Sequence, residues 1–473
     1  MFGNQWTQRD CEIKGITCDS RRIKKGYIFV CIKGENDSGY RYIYEAEKNG
    51  AVAVVANSNV HCKIPVILCS EPRKRMAELA KLIYDRPDEK LHLTGVTGTN
   101  GKTSVTHLIR DILVHSGENT ALIGTNGCYF NNSLTDFSFT TSTTPESCQM
   151  LEILGKMRGM GAQNAVCEAS SHALWLDRLY GFDFDVGVFT NLTSEHLDFH
   201  LNMENYFEAK KILFKMCKSC VINTDDEYGK RLYNEFGKKA VSVGFENADI
   251  TAFDIRCMPS GTSFKIKDGA DTLFVRINLI GKFSVYNALC AYAACRMSGL
   301  KSADIINGLK MSRGVKGRLE YVPVGQEFSI VIDYAHTSDG LFNIISTLKN
   351  ITDEKVITLF GCGGNRDKSK RKIMGRISGE LSDFTIITSD NPRLENPIDI
   401  ITQIEEGVCE AGGEYAVYPD RYDAIDYALS IAKKGDIILL AGKGHEDYMI
   451  KGNEKIHFDE REVIRDILFN KKA

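Results

Sequence analysis

The stretch from Leu91 to His115 constrains the fold of this 473-residue chain more than any other. A short apolar run, Leu91–Gly95, leads into Gly-Val-Thr-Gly-Thr-Asn-Gly-Lys-Thr at 95–103. Lys102–His115 follows, with apolar residues at 105, 108, 109, 112 and 113. That spacing predicts one buried face of a helix. Strand, glycine-rich turn and helix in that order open a parallel α/β unit, because parallel strands need a crossover connection. Downstream, Ala165–Glu168, Asp185–Thr190 and Cys220–Asn223 are further strand candidates. Thr262–Lys267 and Thr272–Leu279 alternate differently and are expected to form antiparallel strands.

The glycine-rich turn also has a chemical meaning. Glycines let backbone N–H groups approach phosphate oxygens, and the helix N-terminus adds partial positive charge. Lys102 is expected to reach the β- and γ-phosphates, and the Thr103 hydroxyl to ligate Mg²⁺. The loop departs from the strict phosphate-loop spacing: Val96 stands five before Gly101, and the glycine is displaced to Gly95. ATP is the expected nucleotide. The loop by itself does not separate kinase, GTPase, ATPase and ligase.

Pattern changes suggest three domains, at 1–88, 89–316 and 317–473. In the first, β-type runs Tyr27–Ile32 and Ala51–Val55 flank a helical stretch Tyr42–Asn49, and a linker is expected near 84–90 before Pro87 gives way to the next strand. Ser312–Arg318, rich in glycine and basic residues, is the second expected connection. The last domain again alternates strand and helix, with strand candidates Ser329–Ile332, Lys355–Phe360, Phe384–Thr388 and Asp436–Leu440. Each is closely followed by polar or glycine residues: Asp333-Tyr-Ala-His, Gly361-Cys-Gly-Gly, Ser389-Asp-Asn-Pro-Arg and Gly442-Lys-Gly-His-Glu. Open α/β sheets bind ligands beyond the carboxyl ends of their strands, so four such loops predict one shared site.

Composition narrows the partners. Hydrophobic residues make up 43% and charged residues 26%, and the net charge is -3, which gives no general reason to bind nucleic acid or an anionic membrane. The N-terminus, MFGNQWTQRDCEIKG, lacks a basic segment followed by an apolar core, so no secretory signal is expected. No window approaches about 18 uncharged apolar residues, and no membrane span is expected. The fifteen cysteines, from Cys11 to Cys409, are read as free, buried thiols of a reducing cytosol. Cys217-x-x-Cys220 has no second pair to complete a four-ligand zinc site. Glu168 and His196 follow apolar strands and could face the phosphate loop and its Mg²⁺. Singly, each reads as readily as a surface acid or a satisfied core histidine.

Together these motifs carry a resemblance. Gly98-Thr-Asn-Gly-Lys-Thr103, Glu168-Ala-Ser-Ser-His-Ala-Leu174, Glu195-His-Leu-Asp198 and Tyr206-x-x-Ala-Lys-x-x-Leu-Phe214 occur in the order seen in Mur ligases, which build the peptide stem of peptidoglycan. The resemblance runs from Asp19-Ser-Arg21 to Phe458-Asp-Glu-Arg461. It implies a small N-terminal α/β UDP-binding domain, a central P-loop ATPase-like parallel sheet and a C-terminal Rossmann-like α/β domain. It makes Gly98, Thr99, Asn100, Gly101, Lys102, Thr103 and Ser104 the ATP-binding run, with Asn287, Arg318 and Asp333 also on the nucleotide side. Lys102, Glu168, His196 and Lys210 resemble the catalytic set. Thr103, Glu168, His196 and Lys210 resemble the Mg²⁺ ligands, Lys210 as a CO₂-derived carbamate, since an unmodified ammonium would be repelled by the metal. Lys211 beside it reads as a surface lysine. Ser20, Thr143, Thr144, Ser170 and Arg178 resemble residues that hold UDP-MurNAc-L-Ala-D-Glu.

Within the family the chain looks like the member that adds the third residue of the stem. Asp390-Asn391-Pro392-Arg393 accompanies addition of meso-diaminopimelate rather than lysine, and Arg366, Gly442 and Glu446 resemble the remaining contacts. An arginine fork suits the distal carboxylate that lysine lacks, and Glu446 would pair with the distal ammonium. Arg393 could instead pair with Glu395, and Pro392 could be only a turn former. Asn365 stands where the family often has Asp, Ser338 where Pro is usual and Lys316 where Pro is common. The implied reaction is ligation through an acyl phosphate, with domain closure bringing the two binding centres together and excluding water. A monomeric, cytoplasmic enzyme is expected. Folylpolyglutamate synthetase shares the fold, but Asp-Asn-Pro-Arg and the Asp-Ser-Arg of the first domain argue against it. A non-catalytic ATP-binding scaffold would tolerate Lys102→Ala, Glu168→Ala and Lys210→Ala.

Overall fold

A computed structural model describes residues 12–34 and 38–470. Most of the N-terminal stretch, with Cys11, lies outside the described residues. The chain divides into two compact units. One comprises residues up to Ala252 with 266–271 and 286–309, and the other 253–265, 272–285 and 310 onward.

The first unit begins with a parallel sheet of Gly15–Thr17 (β1), Tyr27–Val30 (β2), Ala51–Ala56 (β3) and Val66–Leu68 (β4), paired in that order. The helix Pro72–Ile83 buries Met76, Ala77 and Ala80, one stripe of its surface. The expected linker at 84–90 is a folded turn. Asp85 and Arg86 take left-handed φ of 61° and 45°, and buried Asp88 pairs with Lys81 at 2.6 Å.

The central sheet follows: His92–Thr97 (β5), Thr120–Gly124 (β6), Gly127–Phe130 (β7), Ser133–Leu134 (β8), Asn164–Glu168 (β9), Phe184–Phe189 (β10), Cys217–Asn223 (β11) and Ala240–Gly244 (β12). Their order is β12-β11-β10-β5-β9-β6-β7-β8. Pairing is parallel from β12 to β6, and β6-β7-β8 close the edge antiparallel. The middle strands are buried along their length, which is why they read as continuous apolar runs rather than alternating ones. Gly95 lies inside β5, where a Cβ would come within 2.8 Å of the Phe184 ring and 2.9 Å of Leu213. The displaced glycine therefore serves strand–helix packing, not the turn. Cys217 and Cys220 sit three apart in β11, so their side chains leave opposite faces of the strand. The cysteines among the described residues are free and mostly buried, with Cys409 exposed.

Ile250–Met258 (β13), Gly261–Asp268 (β14) and Asp271–Ile277 (β15) are successive neighbours in sheet order; β14 and β15 fall at the two runs expected to be strands, and β13 precedes them. The second unit carries Glu320–Tyr321 (β16), Ser329–Asp333 (β17), Val356–Phe360 (β18), Phe384–Ile387 (β19), Tyr415–Val417 (β20) and Ile437–Ala441 (β21), ordered β16-β17-β21-β18-β19-β20. All but β16 are parallel. Apolar cores lie on the two faces, Ile344, Ile345, Ile404 and Met374 on one and Ile425, Ala428 and Ile464 on the other. The carboxyl ends of β17, β18, β19 and β21 therefore emerge along one edge with their polar loops. Among the described residues no helix is long and apolar enough to cross a membrane.

Candidate active site

β5 ends at Thr97 and the helix Lys102–His115 begins after a four-residue turn, Gly98–Gly101. Gly98 and Gly101 have φ of 150° and 87°, which side chains rarely adopt. A Cβ at Gly98 would run into Thr190 Oγ1, and one at Gly101 would stand 2.5 Å from Asn287 Oδ1. Asn287 thus abuts the turn as expected, and Ser104 follows on the first helical turn. The segment after β10 braces the loop from the other side. Thr190 Oγ1 donates to Asn100 O (2.6 Å), Asn191 Oδ1 accepts from Asn100 N (2.9 Å), and Thr99 Oγ1 accepts from Thr193 N (3.0 Å). Thr190 and Asn191 were not singled out in the sequence, though they lie in the same run as His196; side-chain-to-backbone bracing leaves no local pattern.

Both lysines turn onto the loop backbone. Lys102 Nζ donates to Gly98 O (2.9 Å) and Thr99 O (2.8 Å), and Lys210 Nζ to Gly98 O (2.8 Å). Lys210 is 1% exposed and lies 4.4 Å from the Tyr206 ring centroid. Burial, with the Lys102 charge beside it, holds its amine well below the usual lysine range. Lys211 points elsewhere and pairs with Glu208 and Glu235.

Glu168 ends β9 and is buried. Its carboxylate accepts from Thr103 Oγ1 (3.0 Å), Thr125 N (2.8 Å) and Thr125 Oγ1 (3.2 Å). Thr103 and Glu168 thus present converging hard oxygens at the helix N-terminus, a donor set that fits Mg²⁺. Thr125 is another residue that sequence reading passed over. His196 is placed differently. It is exposed, with left-handed φ of 56°, and its ring lies 4.8 Å from that of His172 and 6.2 Å from that of Tyr206. No group of three His, Cys, Asp or Glu side chains able to hold a metal is assembled among the described residues.

The expected substrate residues cluster behind Glu168. Thr144 Oγ1 donates to Glu168 O (2.7 Å) and accepts from Ser170 N (3.1 Å), while Arg178 reaches Thr144 O (3.4 Å) and Glu146 (3.1 Å). Thr143 meets Thr125 at 3.2 Å. Ser20 stands apart, opening the short helical turn between β1 and β2, its hydroxyl donating to Glu45 (3.0 Å).

In the second unit, the strand-end loops meet through side chains. Asn391 Nδ2 donates to Glu446 Oε2 (2.8 Å) and Asn391 Oδ1 accepts from Ile450 N (2.9 Å). Lys443, fully buried, lies 3.4 Å from Glu446 and 3.8 Å from Asp390. It was quoted in sequence only as part of its loop, and burial is what marks it. Gly442, with φ of 106°, lets Asp390 come close: a Cβ would be 3.0 Å from Asp390 Oδ2. Pro392 is buried at the turn. Arg393 donates to Gly364 O (2.9 Å), not to Glu395. Glu395 belongs to buried Arg371 (3.0 Å), whose hydrogen bonds, with that from Asn365 N, pull its carboxyl down to about 2. Arg366 is exposed beside Gly363. Asp333 accepts from Leu319 N and Ala335 N (both 2.7 Å), and burial nonetheless raises its carboxyl above the usual range. Arg318 lies over the Tyr334 ring at 5.1 Å.

The departures noted in sequence also find places. Asn365 takes left-handed φ of 52° and its side chain accepts from Leu394 N (3.1 Å). Lys316 binds Asp459 (2.8 Å), and Ser338 opens its helix behind a Thr337 cap.

A braced glycine loop beside a half-buried threonine and a buried carboxylate, together with a strand-end cluster of paired charges in the second unit, marks an α/β protein with a phosphate-loop type of turn. The sequence matches the Mur ligase family catalytic domain over residues 12–85, the Mur ligase middle domain over 96–295 and the Mur ligase glutamate ligase domain over 317–444. The chain belongs to the Mur ligase family. It is 44% identical to the UDP-N-acetylmuramoyl-L-alanyl-D-glutamate–2,6-diaminopimelate ligase of Caldanaerobacter subterraneus subsp. tengcongensis, over 97% of this chain and 95% of that one. It is 41% identical to the ligase of that name, numbered 1, of Clostridium acetobutylicum, with the same coverage. A solved structure of a protein named UDP-N-acetylmuramoyl-L-alanyl-D-glutamate–2,6-diaminopimelate ligase superimposes with a TM-score of 0.75 at 30% identity, covering 98% of both chains.

Proposed function

We propose that this chain is an ATP-dependent amide ligase that joins meso-2,6-diaminopimelate to the D-glutamate of UDP-N-acetylmuramoyl-L-alanyl-D-glutamate, acting as a cytoplasmic monomer. The observation that carries the choice of amino acid is the strand-end cluster of the second unit, where Asn391 binds Glu446 at 2.8 Å beside Arg393. Glu446 takes the distal ammonium. Arg393 and Arg366 take the distal carboxylate, a group lysine does not offer. Residues 1–88 hold the UDP moiety near Ser20, 89–316 the ATP and 317–473 the amino acid.

Lys102 exchanges the carbonyls of Gly98 and Thr99 for the β- and γ-phosphates, and the N–H groups of the first helical turn face the same oxygens. Thr103 and Glu168 would hold Mg²⁺, with His196 and a carbamate on Lys210 as further ligands, and the ion would supply positive charge against the transferred phosphoryl group. The buried Lys210 amine suits carbamate formation because the neutral amine is the form that adds CO₂. Thr144, Ser170 and Arg178 orient the dipeptide. Its γ-carboxylate oxygen attacks the γ-phosphorus, ADP leaves, and an acyl phosphate forms. The amine of diaminopimelate then attacks the acyl carbon and loses a proton, and inorganic phosphate leaves with its electron pair.

Phosphate release from ATP with UDP-MurNAc-L-Ala-D-Glu tests this, with diaminopimelate and lysine compared. Release with diaminopimelate at a far higher kcat/KM is expected. Equal values would sink the amino-acid assignment, and no release with either would sink the ligase.

A further inference from the structure

The Phe458-Asp-Glu-Arg461 segment has no part in the chemistry above, yet Glu460 is fully buried with Arg421 as its partner. Arg421 Nε and Nη2 both donate to Glu460 Oε1, at 2.9 and 2.7 Å. The same guanidinium donates from Nη1 to Ser389 O (3.1 Å) and from Nη2 to Ala441 O (3.0 Å). Ser389 immediately precedes Asp390, and Ala441 immediately precedes Gly442. One rigid fork therefore joins the exits of β19 and β21, the two strands whose loops carry Asp390–Arg393 and Gly442–Glu446. The next residue extends the arrangement: Arg461 Nη2 donates to Gly444 O (3.1 Å) while its Nε holds Glu320 (2.9 Å).

We propose that Arg421 and Glu460 are positioning residues for the amino-acid site, fixing the spacing of the two loops so that Asn391 and Glu446 meet. This rests on the reading of that site as the diaminopimelate centre. A buried ion pair adds little stability over well-packed apolar residues, so stability alone gives no reason to keep this one. A planar fork aimed at two carbonyls sets a distance that a lysine, as a point charge, does not. Neither residue touches substrate in this scheme. Their effect passes through the backbone, where a displacement of about 1 Å is enough to cost a large factor in binding or rate.

The test uses the full chain with Arg421→Lys, Arg421→Met and the double variant Arg421→Met/Glu460→Leu. Arg421→Lys is expected to raise the KM for diaminopimelate about tenfold or more while leaving the KM for ATP within about twofold. The double variant removes both charges together and is expected to melt well above Arg421→Met without recovering that KM. Hydrogen exchange in the unliganded chain is expected to quicken at 389–393 and 441–446 in Arg421→Lys. A KM for diaminopimelate that recovers with melting temperature, or that moves equally with the KM for ATP, would overturn the proposal, as would unchanged exchange in both loops. If the native chain releases no phosphate with diaminopimelate, the ligase reading fails by itself. The exchange measurement then still decides whether the fork holds the loops.

Discussion

At the phosphate loop the cations Lys102 and Lys210 are satisfied by backbone carbonyls, whereas at the strand ends of the second unit Lys443 is satisfied by the carboxylates of Asp390 and Glu446. The first centre is made of backbone and held in shape from outside by Thr190 and Asn191. Phosphates can replace carbonyls there without any side chain being redesigned, so the centre suits a ligand common to many reactions. The second is a set of complementary side chains on different loops. A ligand lacking one matching group leaves a buried polar atom unpaired, which is the stronger route to discrimination.

The largest effect is expected from Lys102→Ala, which removes the only phosphate-facing charge assigned to the loop itself. Phosphate release should fall ~10³-fold with the melting temperature little changed. A fall of less than about tenfold would mean that the loop backbone alone carries the activation. Gly98→Ala follows, with an expected loss of about 10²-fold, because the new Cβ collides with Thr190 Oγ1 in a conformation alanine avoids. Combining it with Thr190→Ala should recover part of the loss, and no recovery would break the assignment of Thr190 as the brace.

On the other side of the comparison, Glu446→Gln keeps an oxygen for Asn391 but removes the charge. The KM for diaminopimelate should rise roughly 30-fold and that for ATP stay put. Arg393→Leu should lower the preference for diaminopimelate over lysine by about tenfold, measured as the ratio of kcat/KM values. A ratio that does not move would take Arg393 out of the specificity set.

Acid distinguishes the two regions through stability. His107, on the helix that follows the phosphate loop, is buried, and burial together with the Arg110 charge pushes its imidazole down to about 3. The unfolded chain binds a proton there near pH 6.5 and the folded chain does not, so stability is lost as pH falls from about 6.5 towards 3. At pH 5 the loss is about 2 kcal/mol. His107→Phe should abolish that part of the decline in a urea titration at pH 5 against pH 7.5. Glu395 in the second unit also faces an arginine, but as an anion it is held in its charged form by Arg371. Its depressed carboxyl contributes stability above the ordinary carboxylate range, and that contribution is lost progressively as pH falls from about 4.5 towards 2.

Much of the chain was legible because it depends on local period. The helix Lys102–His115 was expected at the bounds it has, since its apolar spacing and the glycine before it are local signals. The strand ends carrying Asp333, Asp390 and Gly442 were legible for the same reason, to within a residue. Glu168 could be placed near the loop because it ends an apolar run. His196 was expected near the loop on the same ground, and in the structure it is exposed. It follows β10 by a stretch of irregular backbone, and its ring lies near those of His172 and Tyr206.

By itself, the sequence determined the alternation of strand and helix, the glycine-bearing turns and the membership of the Mur ligase family, since these rest on residue order and spacing. Tertiary structure decided the partners. Arg393 sat within reach of Glu395 in sequence, but Glu395 is taken by Arg371, 24 residues away, and Arg393 is left to the loop carbonyls. Asn391 meets Glu446 across 55 residues, and Arg421 meets Glu460 across 39. Gly95, conspicuous as a misplaced turn glycine, proved to make room for Phe184. The physical reason is common to all of these. Strand order brings β19 beside β18 and one strand from β21, and only that order fixes which side chains share a buried space and must satisfy one another.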